Sequence, residues 1–206
     1  QNKRSIKRWF VTALLNGTFS GSADSVLTRI RDVLKTQSRD EFPVEAIEEE
    51  MADLGKLTGF NEEMIENVLE YTKGGQRTFL TLTLLYDQVD FGSIQYHQDH
   101  IFPDSLLNED GLVEQGLDRD RAREFESQAD RLANLQLLTG RENETKQDTP
   151  FNEWLKSRDD SFYDRHLIPT DPETHHIENF DRFLEQRSEL IRGKLQSVLG
   201  PVTEVR

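Results

Sequence analysis

The chain has 206 residues, of which 34% are hydrophobic and 31% are charged, so it is leaner in apolar residues than an average domain but well above the disordered range. Its formal net charge of −14 argues against a simple nucleic-acid binder, because such proteins usually carry a basic patch. It contains no cysteine, which excludes disulfides and thiolate metal sites.

The sequence also bears on where in the cell the protein is found and at what salt concentration. No stretch reaches the roughly 18 apolar residues that a membrane span needs, and no apolar segment follows the basic start of the chain as a signal peptide requires. We therefore expect a cytoplasmic protein without a membrane partner. The 39 acidic residues, with 8 Lys against 17 Arg, also fit a source that lives in high salt.

The first ninety residues are predicted to be mainly helical. Apolar residues recur at helical spacing in Ser5–Leu15 and again in Ser25–Leu34. Asn61 is the expected N-cap of a helix over Glu62–Tyr71, whose first turn is acidic. Thr78–Tyr86 is ambiguous, because its alternating Thr and Leu fit a strand whereas its place in the chain fits a helix.

Residues 91–150 differ in character, because short strand patterns replace the helical spacing. Ser93–His97 is the first predicted strand, and Pro103 ends any ladder there since it has no N–H to donate. Leu135–Thr139 is the second predicted strand, and a short helix over Glu142–Lys146 follows it. Between the strands we predict a loop and then a strongly charged helix: Leu106–Leu117 and Asp118–Leu132.

The last part of the chain returns to helix. The clearest helical pattern covers Ile177–Leu199, and Gly200 with Pro201 ends it. Taken together, the elements predict a mainly α, α+β fold. We divide it into a helical subdomain over 1–90, a strand-containing core over 91–150, and a C-terminal helical segment over 151–206 that packs on the core.

One stretch carries residues suited to phosphodiester chemistry: Asp99–Pro103, which reads Asp-His-Ile-Phe-Pro, followed by Asn134 and Asn143. A histidine imidazole, here that of His100, can take a proton from water and so suits the role of general base. Carboxylate and amide oxygens, here of Asp99 and Asn143, suit a hard divalent cation such as Mg²⁺ or Mn²⁺, which stabilises charge on a leaving oxygen. Because neighbours in a strand point to opposite faces, Asp99 and His100 are expected to share a site only if the backbone leaves the strand there.

These residues resemble the HNH motif of the His-Me finger nucleases, including the HNH domain of RNA-guided CRISPR nucleases. The Asp-His-Ile-Phe-Pro stretch, with Asn-Leu-Gln-Leu-Leu from residue 134 and Pro-Phe-x-x-Trp-Leu from residue 150, is more similar still to the C-terminal nuclease domain of GmrSD-like and SspE-like proteins. Those proteins act in bacterial and archaeal defence against phage. The flanking helical segments are similar as well, notably Arg8-Trp9 and Arg165–Pro169, so the resemblance covers most of the chain.

The resemblance implies a ββα-metal core set in helices, and an endonuclease that nicks or cleaves DNA. By that resemblance His100 would be the general base, Asp99 and Asn143 would hold the metal, and Asn134 would fix the loop between the strands and help to orient His100. Relatives of this kind carry an N-terminal regulatory or NTPase domain with an Asp-Gly-Gln-Gln-Arg motif. That motif is absent, and Lys73–Arg77 is only superficially similar to it. Because the chain begins with Gln1, we expect a fragment whose missing N-terminal domain supplies regulation and much of the DNA affinity.

Several assignments have plainer alternatives. Asn134 suits structural support as well as a catalytic role. His97, Arg141 and Lys146 are predicted to contact substrate, although each also suits an ordinary surface position. For the whole chain, the alternative is a catalytically silent module derived from an HNH domain, which binds only nucleic acid or a protein. The acidic charge favours that alternative slightly, whereas the intact Asp99-His100 pair favours the enzyme.

Overall fold

The computed structural model describes residues 2–37, 40–86, 90 and 92–200. Within them, the chain forms eleven α-helices and one two-stranded antiparallel sheet, which confirms the predicted mainly α, α+β class. The elements in chain order are α1 Asn2–Leu15, α2 Ala23–Thr36, α3 Val44–Asp53, α4 Glu62–Leu69, α5 Gln76–Leu85, β1 Tyr96–His100, α6 Glu109–Glu114, α7 Arg119–Gln128, β2 Leu135–Thr139, α8 Gly140–Lys146, α9 Phe151–Leu155, α10 Asp160–His166 and α11 Phe180–Leu199.

The chain divides into two compact units, one of residues 2–68 with 199–200 and one of Leu69–Val198. The three-part division made from the sequence stays a prediction. No helix in the described ranges is both long and apolar enough to cross a membrane. Gly200, which was predicted to end the last helix together with Pro201, has a φ of +86°. Pro201 lies outside the described residues.

The first unit is built from the predicted N-terminal helices. Its apolar side chains pack between α2 and α3, with Val26, Ile30 and Ile47 among the buried members and Trp9 of α1 against them. Asn61 caps α4 as expected, because its Oδ1 accepts a hydrogen bond of 2.8 Å from the N–H of Met64. The helical spacing therefore predicted this unit well.

An aromatic cluster forms the core of the second unit. Phe102 lies at its centre, with ring centroids 4.9 Å from Phe151, 4.9 Å from Phe183 and 5.3 Å from Phe180. The rings meet edge to face or tilted, which is the favoured geometry for buried aromatic pairs. Because Phe102 follows His100 by two residues, this cluster anchors the end of β1.

The sheet and the helix that follows it lie next to that anchor. β1 pairs with β2 in a register that sets Tyr96 opposite Thr139 and His100 opposite Leu135. Thr139 then begins α8 with a capping box to Glu142. The second strand and the helix after it lie where the sequence predicted them.

Several predicted bounds were wrong. The first strand is Tyr96–His100 rather than Ser93–His97, because its polar residues carry no apolar alternation and the pairing with β2 sets its position. The predicted loop Leu106–Leu117 contains α6, which Asn108 caps by accepting from the N–H of Gly111. The ambiguous Thr78–Tyr86 segment is helical in α5. The charged helix α7 ends at Gln128 rather than at Leu132, and α10 was not predicted.

Candidate active site

His100 lies at the end of β1 and is only 7% exposed. Its Nε2 lies 2.7 Å from Oδ1 of Asp130, and its Nδ1 lies 3.2 Å from Nζ of Lys73. An ionised carboxylate only accepts hydrogen bonds, so this pairing favours the tautomer with its proton on Nε2. The Nδ1 lone pair then accepts from the Lys73 ammonium.

Backbone pairing brings Lys73 and Asp130 to the same imidazole. The N–H of Lys73 donates to the carbonyl of Asp130 at 3.0 Å, and the N–H of Leu132 donates to the carbonyl of Tyr71 at 2.7 Å. Neither residue was predicted from the sequence to belong to the site. The only local signal was the Gly-Gly pair after Lys73, which indicates a turn rather than chemistry.

Asp99 is held by two partners. Its Oδ2 lies 3.0 Å from Nζ of Lys146 and accepts from Nε2 of Gln136 at 3.1 Å. Lys146 is 1% exposed and also donates to the carbonyl of His100 at 2.6 Å. Burial lowers the pKa of Lys146, although the neighbouring Asp99 favours its charged form. The predicted phosphate contact of Lys146 stays a prediction, and its described bonds all support the strand end.

Asn134 lies fully buried just before β2. Its Oδ1 accepts from the N–H of Phe102 at 2.9 Å, while its Nδ2 donates to the carbonyls of Phe102 and Ala129 at 3.1 and 2.8 Å. The backbone also continues the ladder there, because the N–H of Ile101 donates to the carbonyl of Asn134 at 2.7 Å. Asn134 thus ties the segment after His100 to the turn that follows α7.

A cleft of about 530 Å³ surrounds the end of β1. It brings together five of the residues predicted from the sequence: His97, Asp99, His100, Asn143 and Lys146. Asn134 does not line it, and neither does Arg141, which is exposed on α8. Asp99 and His100 both line the cleft, and β1 ends at His100, where the backbone leaves the strand. The cleft wraps around the strand end, and the two side chains take different partners.

The donor chemistry of the cleft fits a divalent cation. Asp99 and Asn143 offer the carboxylate and amide oxygens that Mg²⁺ and Mn²⁺ accept. A second group is present, since donor atoms of His100, Asp104 and Asp130 all lie within 4.8 Å of one another. Carboxylates outnumber ammonium groups along the walls, with Asp99, Asp104, Glu144 and Asp148 against Lys73 and Lys146. Such a cleft repels a phosphodiester unless a cation offsets the charge.

Comparison with known proteins assigns the chain to a family. A search of the curated proteins finds no match. A family model described as the C-terminal domain of the GmrSD restriction endonucleases matches residues 46–193, a range that includes the sheet, α8 and every residue that lines the cleft. The chain therefore belongs to the GmrSD restriction endonuclease C-terminal domain family.

Proposed function

We propose that this domain is a metal-dependent HNH-type endonuclease that nicks or cleaves DNA, with His100 as its general base. The observation that carries the proposal is the geometry of His100, whose Nε2 meets the Asp130 carboxylate while Nδ1 faces the acidic cleft at Lys73. Membership in a restriction endonuclease family supports a nuclease in general, and the His100 arrangement supports the specific chemistry.

The residues around His100 suit the attack of water on phosphorus. Nδ1 takes one proton from the water while the water oxygen forms a bond to phosphorus. The ester bond between phosphorus and the leaving oxygen breaks. The imidazole becomes positively charged in this step, and the Asp130 carboxylate at 2.7 Å from Nε2 stabilises that charge. Asn134 fixes the backbone of Phe102, which keeps the end of β1 and hence His100 in place.

Asp99 and Asn143 would hold the metal, Mg²⁺ or Mn²⁺, in this proposal. When bound, such a cation supplies Lewis-acid stabilisation of the charge on the leaving oxygen. Lys146 supports Asp99 from the buried side, because its ammonium bonds both the carboxylate and the carbonyl of His100. His97 and Arg141 are proposed to contact the substrate backbone.

The first experiment is cleavage of supercoiled plasmid with Mg²⁺ or Mn²⁺, with and without EDTA. We expect metal-dependent nicking that EDTA abolishes and that His100→Ala reduces roughly a hundredfold or more. His176→Ala is the matched control, because His176 is exposed and does not line the cleft. A His100→Ala variant that cuts at the wild-type rate would refute the base assignment. A folded wild type that fails to cut in both Mg²⁺ and Mn²⁺ would support the silent binding module instead.

A metal titration distinguishes the two possible ligand groups. Asn143→Ala should raise the Mn²⁺ concentration needed for half-maximal cleavage, because it removes one of two proposed ligands. Asp104→Ala belongs only to the group around His100 and should leave that concentration unchanged. The opposite pattern would move the metal to His100, Asp104 and Asp130.

We extend the proposal to the setting of the domain. The matched family is by its description a C-terminal domain, so we propose an N-terminal regulatory or NTPase domain as its partner, together with DNA. The net charge of −14 fits a division in which another region supplies most of the electrostatic affinity for DNA. The match to a restriction endonuclease family supports the further proposal of an anti-phage role in the cytoplasm. Loss of phage restriction in cells that carry the full-length protein with His100→Ala would test it.

A further inference from the structure

We propose that Lys73 is a second catalytic group of the cleft: its ammonium covers the base nitrogen of His100 at rest, then binds the scissile phosphate and uncovers that nitrogen. The inference deepens the proposed function and rests on it. Lys73 lies outside the motif that identifies the site, 27 residues before His100.

The contact between Lys73 and His100 involves the base nitrogen directly. Lys73 Nζ lies 3.2 Å from Nδ1 of His100, the nitrogen that must accept a proton from water. Asp130 already orients the imidazole through Nε2, so Lys73 is not needed for orientation. While the contact lasts, the Nδ1 lone pair is occupied and the base is idle.

The turn around Lys73 holds this residue beside β1. Besides the backbone bond to Asp130, the N–H of Gly74 donates to Oε1 of Gln98 on β1 at 3.0 Å. Gly74 has a φ of +86°, a conformation that favours glycine. At Gly75 an added Cβ would lie 2.8 Å from Oγ1 of Thr78, whose hydroxyl holds the carbonyl of Thr72 at 2.6 Å. The turn therefore fixes the backbone of Lys73 beside β1.

The charges of the cleft also favour a phosphate contact by Lys73. Lys146 is buried and committed to Asp99, whereas Lys73 is exposed and forms no carboxylate ion pair within the described residues. Lys73 is thus the lysine of the cleft that is free to meet an incoming anion. A phosphate oxygen is a stronger partner for an ammonium than a neutral imidazole, because the bond is then charge-assisted on both sides.

These observations define a sequence of contacts. Phosphate enters the acidic cleft, the flexible Lys73 stem carries the ammonium from Nδ1 to a non-bridging oxygen, and Nδ1 becomes available for water. At that position the ammonium also stabilises the charge that develops on the phosphate. The base is therefore exposed only when a phosphodiester is bound.

Binding measurements test the phosphate contact without relying on cleavage. A fluorescein-labelled 12-base-pair duplex is titrated in Ca²⁺ over a range of KCl concentrations, with wild type, Lys73→Ala, Lys73→Arg and Lys156→Ala. Lys73→Ala loses one phosphate contact, so the plot of the logarithm of the binding constant against the logarithm of the salt concentration should become less steep by about 0.9. Lys73→Arg should retain the wild-type slope. Lys156 is exposed, outside the cleft and paired with Glu153, so Lys156→Ala should retain it too.

Single-turnover cleavage in Mn²⁺ supplies the second readout. Lys73→Ala should cut about a hundredfold more slowly than wild type, and Lys73→Arg should recover part of the rate. Faster cleavage by Lys73→Ala would show that Lys73 only blocks Nδ1 of His100, and it would overturn the proposal. An unchanged salt slope would overturn it too. If wild type binds with the expected slopes but never cuts, the proposed nuclease fails while the phosphate contact stands. No binding by wild type would overturn the phosphate contact, while plasmid cleavage would still decide the proposed nuclease.

Discussion

Replacing the buried Asn134 with Ala should destabilise the second unit strongly. The side chain is fully buried and makes three hydrogen bonds, all to backbone groups of Phe102 and Ala129. Its loss leaves one N–H and two carbonyls without that partner, and each buried unpaired group costs about 1–3 kcal/mol. Since a water can enter the vacated polar space and satisfy part of the set, we expect a loss of about 3 kcal/mol.

Urea unfolding at neutral pH, without metal, measures this free energy. Asn143→Ala is the matched control, because Asn143 is half-buried in α8 and a substitution there should change stability by about 0.5 kcal/mol or less. A loss below about 1 kcal/mol for Asn134→Ala, or an equal loss in both variants, would refute the reasoning that Asn134 anchors the segment after His100.

Two further predictions concern other ionisable groups. Asp130→Asn should slow cleavage about tenfold to a hundredfold with unchanged urea stability, since the Asp130 side chain is 58% exposed; wild-type cleavage by this variant would remove Asp130 from the site. Burial lowers the pKa of His166 well below its ordinary value. Below about pH 6.5, His166 therefore binds a proton in the unfolded chain but stays neutral in the folded chain. Stability should therefore fall as pH drops from 6.5 towards the folded-state pKa, by up to about 1.4 kcal/mol per unit from this group. His166→Gln should lose less stability over the same window in urea unfolding, and parallel curves for the two proteins would contradict the prediction.

Local patterns predicted the elements whose residues carry their own signal. The apolar run of β2 and the Thr139 capping box are both contained in short sequence windows, and so is the cap at Asn61. β1 was misplaced because Tyr96–His100 is polar throughout except for its first residue. Its position depends on pairing with β2, which begins 35 residues after His100, and no local window contains both strands.

The same distinction applies to the candidate site. The Asp-His motif is local and was found, and the structure brings its residues and Asn143 to one cleft. Asp130 and Lys73 meet His100 across 30 and 27 residues, so their place depends on tertiary pairing. Lys146 resembles a surface lysine in the last turn of a helix, yet a bond across 46 residues buries it against the His100 carbonyl.

Chemical rescue of a His100→Gly variant tests the general base most directly. The variant leaves a space that opens to a cleft of about 530 Å³, where free imidazole can enter beside Asp130. We expect Mn²⁺-dependent plasmid cleavage to fall roughly a hundredfold or more and to recover in part as imidazole is added, with the recovery following the unprotonated fraction of imidazole as pH changes. Cleavage by His100→Gly at the wild-type rate without imidazole would contradict the assignment of His100 as the base.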